Sequence, residues 1–130
     1  MELFPVHRTL AENSRFMADA NCEPGLSMTI SFFELIGYTP PWIGYFVQLD
    51  GSLVGSGAFK GKPKEGRVEI AYGTFPAYQH QGIGTNICQL LVQLALQSDP
   101  TVMVTARTLP EQSYSTRILR KNGFVRVGTV

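Results

Sequence analysis

A chain of 130 residues is one domain's worth, and a domain of that size buries roughly two-thirds of its unfolded surface without help from a disulfide or a metal. With 44% hydrophobic residues, 16% charged residues and a formal net charge of +1, the composition excludes a disordered chain and gives no reason to expect a nucleic-acid partner. There is no apolar run of about 18 residues, no signal-peptide pattern in Met1-Glu2-Leu3-Phe4-Pro5 and no Cys-x-x-Cys spacing, which predicts a cytoplasmic protein with reduced thiols at Cys22 and Cys88, no membrane association and no metal site.

Thr9 to Ala20, with Leu10, Phe16 and Met17 among polar neighbours, predicts a weakly amphipathic helix that ends at Asn21 to Gly25. Leu26 to Gly37 reads as a short helix closed by Gly37, although its apolar density also suits a strand. Tyr38-Thr39-Pro40-Pro41 is a turn, because proline lacks an N–H and restrains the residue before it. Tyr45 to Leu49 and Leu53 to Lys60 then read as strands joined by Asp50-Gly51, a dipeptide suited to a tight hairpin. Gly61 to Gly66 is a solvated loop into a third strand, Arg67 to Phe75, whose alternation is clear.

From Asn86 onward, Ile87, Leu90, Leu91, Leu94 and Ala95 recur at helical spacing, giving one apolar stripe to lie on a sheet. Ser98-Asp99-Pro100 stops that helix, and Val102 to Arg107 follows as a strand that the helical crossover makes parallel to the third. A second helix runs from Leu109-Pro110-Glu111 to about Lys121 and is capped in left-handed conformation at Asn122-Gly123, with Phe124 to Val130 as a last strand. The whole is a single α/β (α+β) domain spanning residues 1–130.

Between the third strand and the long helix lies Gln79-His80-Gln81-Gly82-Ile83-Gly84-Thr85. A strand, a glycine turn and a helix start in that order make a phosphate cradle: without Cβ atoms at Gly82 and Gly84 the backbone can take unusual dihedrals and its amides can converge on an anion at the positive end of the helix. The pattern is neither a Walker A loop, since no Gly-Lys-Ser/Thr follows, nor a full dinucleotide fingerprint, since Ile87 stands where the third glycine would fall. A helix-capping turn that binds nothing remains the alternative.

Gln79-His80-Gln81-Gly82-Ile83-Gly84 matches the Gln/Arg-x-x-Gly-x-Gly/Ala turn of the GNAT superfamily of N-acetyltransferases, and Val104 to Phe124 resembles that family's second conserved block. Within the superfamily the resemblance is to the branch of ribosomal-protein-alanine N-acetyltransferases. It implies a mixed, mostly antiparallel sheet with flanking helices and a V-shaped splay between its parallel strands. It also implies acetyl-coenzyme A as co-substrate and direct acetyl transfer to an amine of a small molecule or a protein N-terminus. The amides of Gln81, Gly82, Ile83, Gly84 and Thr85 would then grip the pyrophosphate, with Gln79 opening the turn, and Gly73, Thr74 and Phe75 would pair with the pantetheine arm as an added strand does. Gln112, where the family usually has asparagine, and Ser115 would hydrogen-bond the same arm or merely cap a helix.

By the same resemblance Glu69 is the candidate general base, against the alternative of a strand carboxylate facing solvent or pairing with Arg67 or Lys60. The family's usual tyrosine acid slot holds Leu119, so protonation of the leaving thiolate would fall to water or another hydroxyl, and Tyr114 is read as packing or surface. Glu34 and Trp42 are candidate acceptor-site residues, Trp42 being mostly core; His80, Arg107 and Arg117 are read as surface residues with a phosphate contact as the sharper option. The competing class is a degenerate module that holds an acyl-coenzyme A and regulates without turnover. The family fold has another strand beyond Val127-Gly128-Thr129-Val130, which leaves two expectations: more chain after Val130, or a partner subunit, as in a homodimer, over the exposed edge.

Overall fold

A computed structural model of the chain describes residues 1–107 and 114–125, with the side chains of 114–116 excepted. Five strands form one sheet in the order β1 (Glu2–Pro5), β2 (Gly44–Leu49), β3 (Ser52–Phe59), β4 (Arg67–Thr74) and β5 (Met103–Ala106). The first three junctions are antiparallel and the β4–β5 junction is parallel. The hairpins follow from local chemistry: Asp50 and Gly51 take φ of 50° and 82°, and Glu65 and Gly66 take 53° and 77°, the pair of positive values that matches the twist of a two-residue hairpin.

The four strands predicted between Tyr45 and Arg107 therefore lie where the sequence put them, and β1 is an addition. Four residues ending in proline give too short a pattern to read, yet Leu3 pairs with Val47 and Phe4 with Phe46 at the edge of the sheet. The helix expected over Thr9 to Ala20 is replaced by a 3-10 turn, Ala11–Asn13, and a single turn of α-helix, α1 (Ser14–Met17). The reason is Asn13, which is buried, accepts from the amide of His7 at 2.7 Å, and donates to the carbonyls of His7 and Thr9 at 2.9 and 2.7 Å. An asparagine so engaged competes with a continuous helix.

The second helix, α2 (Glu23–Ile36), begins three residues earlier than its apolar periodicity suggested, with proline in its first turn. Cys22, read from sequence as a loop residue, sits fully buried just before it. The long helix α3 (Ile83–Ser98) likewise begins at Ile83 rather than Asn86, because the glycine turn itself supplies its first turn. It buries Ile83, Ile87, Cys88, Leu91 and Ala95 against the sheet. The last helix, α4 (Tyr114–Lys121), ends in a Schellman arrangement: the amide of Phe124 donates to the Leu119 carbonyl at 3.0 Å and that of Gly123 to Arg120 at 3.1 Å, with Gly123 at φ 83°. Phe124 and Val125 are not in a strand; the rest of the strand expected there lies outside the described residues, as does the start of the helix before Tyr114.

The sheet has a helix on each face. Gly44 on β2 approaches Thr29 of α2 so closely that a Cβ there would lie 2.8 Å from its methyl, whereas Gly57 on β3 faces Leu91 and Ile87 of α3. Along β4, Val68 and Ile70 are buried while Glu69, Ala71 and Gly73 project to the other side. That side is the one α2 shares, and it is only partly covered.

Candidate active site

The turn after β4 is built to start a helix without a side-chain cap. Gly82 is the N-cap residue of α3, at φ 78° and ψ 4°, a left-handed conformation that costs an L-residue dearly, and no side chain caps the helix there. Only Gly82 uses this freedom. Gly84 lies inside the helix and is glycine for room: a Cβ on it would come 2.8 Å from Ile118 Cδ1 and 3.3 Å from Thr74 Oγ1. The first intrahelical bond runs from the Asn86 amide to the Gly82 carbonyl at 3.3 Å, so the amides of Ile83, Gly84 and Thr85 precede any acceptor on their own helix. Three donors at the positive end of a 16-residue helix are a site for a small polyanion.

A recess of about 330 Å³ opens at this point, lined by His80, Gly82, Thr85, Arg117, Ile118 and Lys121. Its basic rim comes from α4, so two distant segments of chain meet there. The meeting is fastened by Asn122, whose Nδ2 donates to the carbonyls of Thr85 and Ile118, each at 3.1 Å. Sequence reading took Asn122 for a cap alone and passed over Lys121; neither role has a local signal. Gln79, exposed and not among the residues lining the recess, donates from Nε2 to the Thr74 carbonyl at 3.2 Å and closes the turn. Gln81 is exposed beside it.

Upstream of the turn, β4 is paired with β5 over only part of its length among the described residues. Register pairs run from Arg67↔Met103 to Ile70↔Ala106, while on the other side β3 stays paired as far as Gly55↔Thr74. Ala71 to Thr74, about 13 Å of strand at ~3.3 Å per residue, thus have no partner on the β5 side among the described residues. Gly73 is exposed there, Thr74 half-buried, and Phe75 packs its ring 6.4 Å from Phe46 while its amide donates to the Val54 carbonyl at 2.9 Å. A strand edge unpaired among the described residues and leading to an anion cradle can take an extended chain that ends in phosphates.

Where the parallel pairing stops, Glu69 lies across three strands. Its Oε2 is 2.7 Å from Lys60 Nζ, one residue past β3, and its Oε1 is 3.1 Å from Arg107 Nε, one residue past β5. The carboxylate is only 20% exposed. Of the partners foreseen, Lys60 is present, Arg67 is not among them, and Arg107 is an addition that only the parallel register brings near. Leu119 is buried, so the position where a tyrosine would serve as acid is filled with aliphatic core. Trp42 stands edge-on to Phe59 at 5.2 Å, beside Lys60 in sequence, and is half-buried. Glu34 is exposed on α2, about 200° around the helix from Ile36, the residue that approaches Gly61. Gln112 and the side chains of Tyr114 and Ser115 lie outside the described residues.

Burial governs the titratable groups that are perturbed. It raises the Cys22 thiol to about 12, helped by Asp19, and the Cys88 thiol to about 11, and it raises the Tyr45 phenol to about 12. Burial, and secondarily Cys88, pushes up the Tyr72 phenol, whose oxygen is buried with no hydrogen-bond partner among the described residues. None of these is a nucleophile at neutral pH. Among the described residues there is no group of three or more His, Cys, Asp or Glu placed to hold a metal, and no helix long and apolar enough to cross a membrane.

The model of the acetyltransferase (GNAT) domain matches residues 1–125, so the chain belongs to that family. No curated protein matches it by sequence. Among solved structures, an aminoglycoside acetyltransferase in complex with coenzyme A and kanamycin superimposes with a TM-score of 0.58 at 26% identity, over 68% of this chain and 58% of that one. The chain thus spans less than two-thirds of that structure. RimL, a ribosomal L7/L12 α-N-protein acetyltransferase, gives 0.68 at 16% identity over 97% and 78%, and Campylobacter jejuni PseH in complex with acetyl-coenzyme A gives 0.69 at 12% identity over 99% and 91%. The last two, at such identities, establish the fold: a mixed sheet flanked by helices, of GNAT type.

Proposed function

We propose that this chain is an acetyl-coenzyme A-dependent N-acetyltransferase of the kind that modifies an α-amine, on a small molecule or a protein N-terminus. The observation that carries the proposal is the uncapped start of α3, with Gly82 left-handed and a basic rim, at the end of a strand whose last residues have no β5-side partner among the described residues. In this reading the amides of Ile83, Gly84 and Thr85 hold the diphosphate, with Gln81, His80, Arg117 and Lys121 around it, and the main chain of Gly73 and Thr74 holds the pantetheine arm. The carrier supplies an acetyl group activated as a thioester. The chain orients its carbonyl, and β4 amides polarise it.

The acceptor must be neutral when it attacks. At pH 7 a lysine of pKa 10.4 costs about 4.6 kcal/mol to deprotonate and an α-amine near 7.8 only about 1.1 kcal/mol. Glu69 shares both oxygens with cations and Leu119 offers no proton, which favours the acceptor that needs least help. Glu69 takes the amine's proton, through water, and solvent protonates the departing thiolate. That same Leu119 supports a second reading, a regulatory module that holds the carrier without turnover.

Thermal unfolding with acetyl-coenzyme A, NAD and ATP tests the first step: only acetyl-coenzyme A is expected to raise Tm, by the mass-action stabilisation of a ligand bound to the folded state. Gly82→Asp, which puts a carboxylate in the cradle, should abolish that rise; an unchanged rise would sink the assignment. Release of free thiol with a panel of amines separates transferase from module. Glu69→Gln should lower the rate with little change in carrier affinity, and a mutant that keeps the wild-type pH–rate profile would refute the role of base.

A further inference from the structure

Of the four lysines in the chain, at 60, 62, 64 and 121, all are exposed, and among the described residues only Lys60 makes an ion pair. Its Nζ stands 2.7 Å from Glu69 Oε2, on the carboxylate read above as the base that takes the acceptor's proton. An amine donating to that carboxylate is where an acceptor must be just before transfer. Lys60 therefore fills the acceptor's place with an amine of the protein's own.

The main chain beneath Lys60 is fixed on both sides. Its amide donates to the Glu69 carbonyl at 2.9 Å, one step beyond the Phe59↔Ile70 pair of the β3–β4 ladder, and Phe59 is buried with its own amide on the Ile43 carbonyl at 3.1 Å. The stem is pinned, while the side chain, 48% exposed, keeps room to move its head. Lys62 and Lys64 lie past Gly61, at φ 90°, in the loop to β4, and Lys121 lines the recess at the start of α3 instead. The cradle end of β4 is marked by Thr74, whose hydroxyl lies 3.3 Å from where a Cβ on Gly84 would stand. Glu69 is five residues upstream in the same strand, about 17 Å, a length comparable with an extended pantetheine arm between diphosphate and thioester.

Resting on the acetyltransferase reading, we propose that Lys60 is a self-acetylation site, modified by the acetyl-coenzyme A bound to its own chain when no acceptor is present. Glu69 takes a proton from the ammonium, and the Nζ lone pair forms the N–C bond to the acetyl carbonyl carbon. The C–S bond breaks, and the sulfur leaves with its electron pair as a thiolate that solvent protonates. A second nitrogen proton passes to water, so the products are ε-acetylated Lys60, free coenzyme A and one proton. An ordinary lysine is neutral in only about one molecule in 2,500 at pH 7, so self-transfer is slow and an α-amine in the site outruns it. The modification removes the charge on Lys60 and leaves Arg107 as the cation on Glu69 among the described residues.

The test incubates the chain with saturating acetyl-coenzyme A and no acceptor, and follows acetylation of each lysine by peptide mass spectrometry. Lys60 should label at least about 10-fold faster than Lys62, Lys64 or Lys121, at a rate per molecule that holds over an about 100-fold dilution of the protein, as an intramolecular step requires. Acetyl phosphate, an acetyl donor without the carrier, should label the four lysines with no preference for Lys60. Glu69→Gln should slow labelling of Lys60 by about 10-fold or more and leave the other three as they were; if that variant does not fold, the wild-type rates decide. Equal labelling of the four lysines by acetyl-coenzyme A, a rate that grows with protein concentration, or the same preference with acetyl phosphate overturns the proposal. A Tm rise with acetyl-coenzyme A but no label on Lys60 overturns it and leaves the acetyltransferase reading standing. Absence of the Tm rise brings down that reading, and self-acetylation with it.

Discussion

Single residues near the cradle separate conformational need from spatial need. Gly82 is required by its dihedrals and Gly84 by its neighbours, although the two look alike in the Gly-x-Gly string. Gly84→Ala should therefore cost about 1–3 kcal/mol of stability by overpacking against Ile118, and a chemical-denaturation midpoint checks it. Tyr72→Phe should do the opposite of what deleting a buried hydroxyl usually does: with no partner among the described residues to orphan, its removal leaves stability unchanged or slightly raised. A fall of more than about 1 kcal/mol in the same assay would reveal a partner for that oxygen. At this scale the sequence was legible for the glycines and for Glu69 as a strand carboxylate. It was silent on Arg107, which lies 38 positions later and reaches Glu69 only through parallel register.

Elements were legible in proportion to how strongly they repeat. Along α3, Ile87, Leu91 and Ala95 fill the core as their spacing indicates, joined by Ile83 and Cys88 while Leu90 and Leu94 are half-buried, and the two hairpins turn at their Asp-Gly and Glu-Gly pairs. What failed was short or self-contradictory: β1 has four residues, and the segment from Thr9 has a periodicity that Asn13 overrides by bonding its own backbone. The close seating of α3 on β3 was also hidden, since it depends on Gly55 and Gly57 rather than on any apolar residue. A Cβ on Gly55 would collide with the Gly73 carbonyl oxygen and come 2.9 Å from Ile87 Cδ1. Backbone cannot step aside as a side-chain end can, so Gly55→Ala should cost about 3 kcal/mol or more and lower Tm. A midpoint within error of wild type would mean that α3 sits farther from the sheet.

For the molecule as a whole, two buried thiols, together with the buried phenols of Tyr45 and Tyr72, set the alkaline limit. Cys22 and Cys88 ionise in the folded state near 12 and 11, against a reference of 9.0. A folded pKa above the unfolded one means the unfolded chain loses protons first, so this share of stability is intact below pH 9 and drains away as pH rises toward 12. Denaturation curves from pH 7 to 11 should be level to about 9 and then shift to lower denaturant, and Cys22→Ala should flatten the decline even though it costs some packing. Neither thiol should react with a thiol reagent until the protein unfolds. The family fold and the glycine turn could be read at this scale because their motifs are contiguous in sequence. The joining of the two helices beside that turn could not, since Asn122 meets the Thr85 carbonyl only in space.

The amide of Asn122 ties together the first turn of one helix and the last turn of another, at 3.1 Å to each carbonyl. On the function proposed above, a receptor braced in that way keeps its shape while empty. Capture of an anion then asks for little loss of chain freedom, so the enthalpy of docking is not consumed in stiffening the receptor. Severing the brace with Asn122→Ala should show itself as a more negative entropy of association in calorimetry, even where the contacts with the ligand are the same.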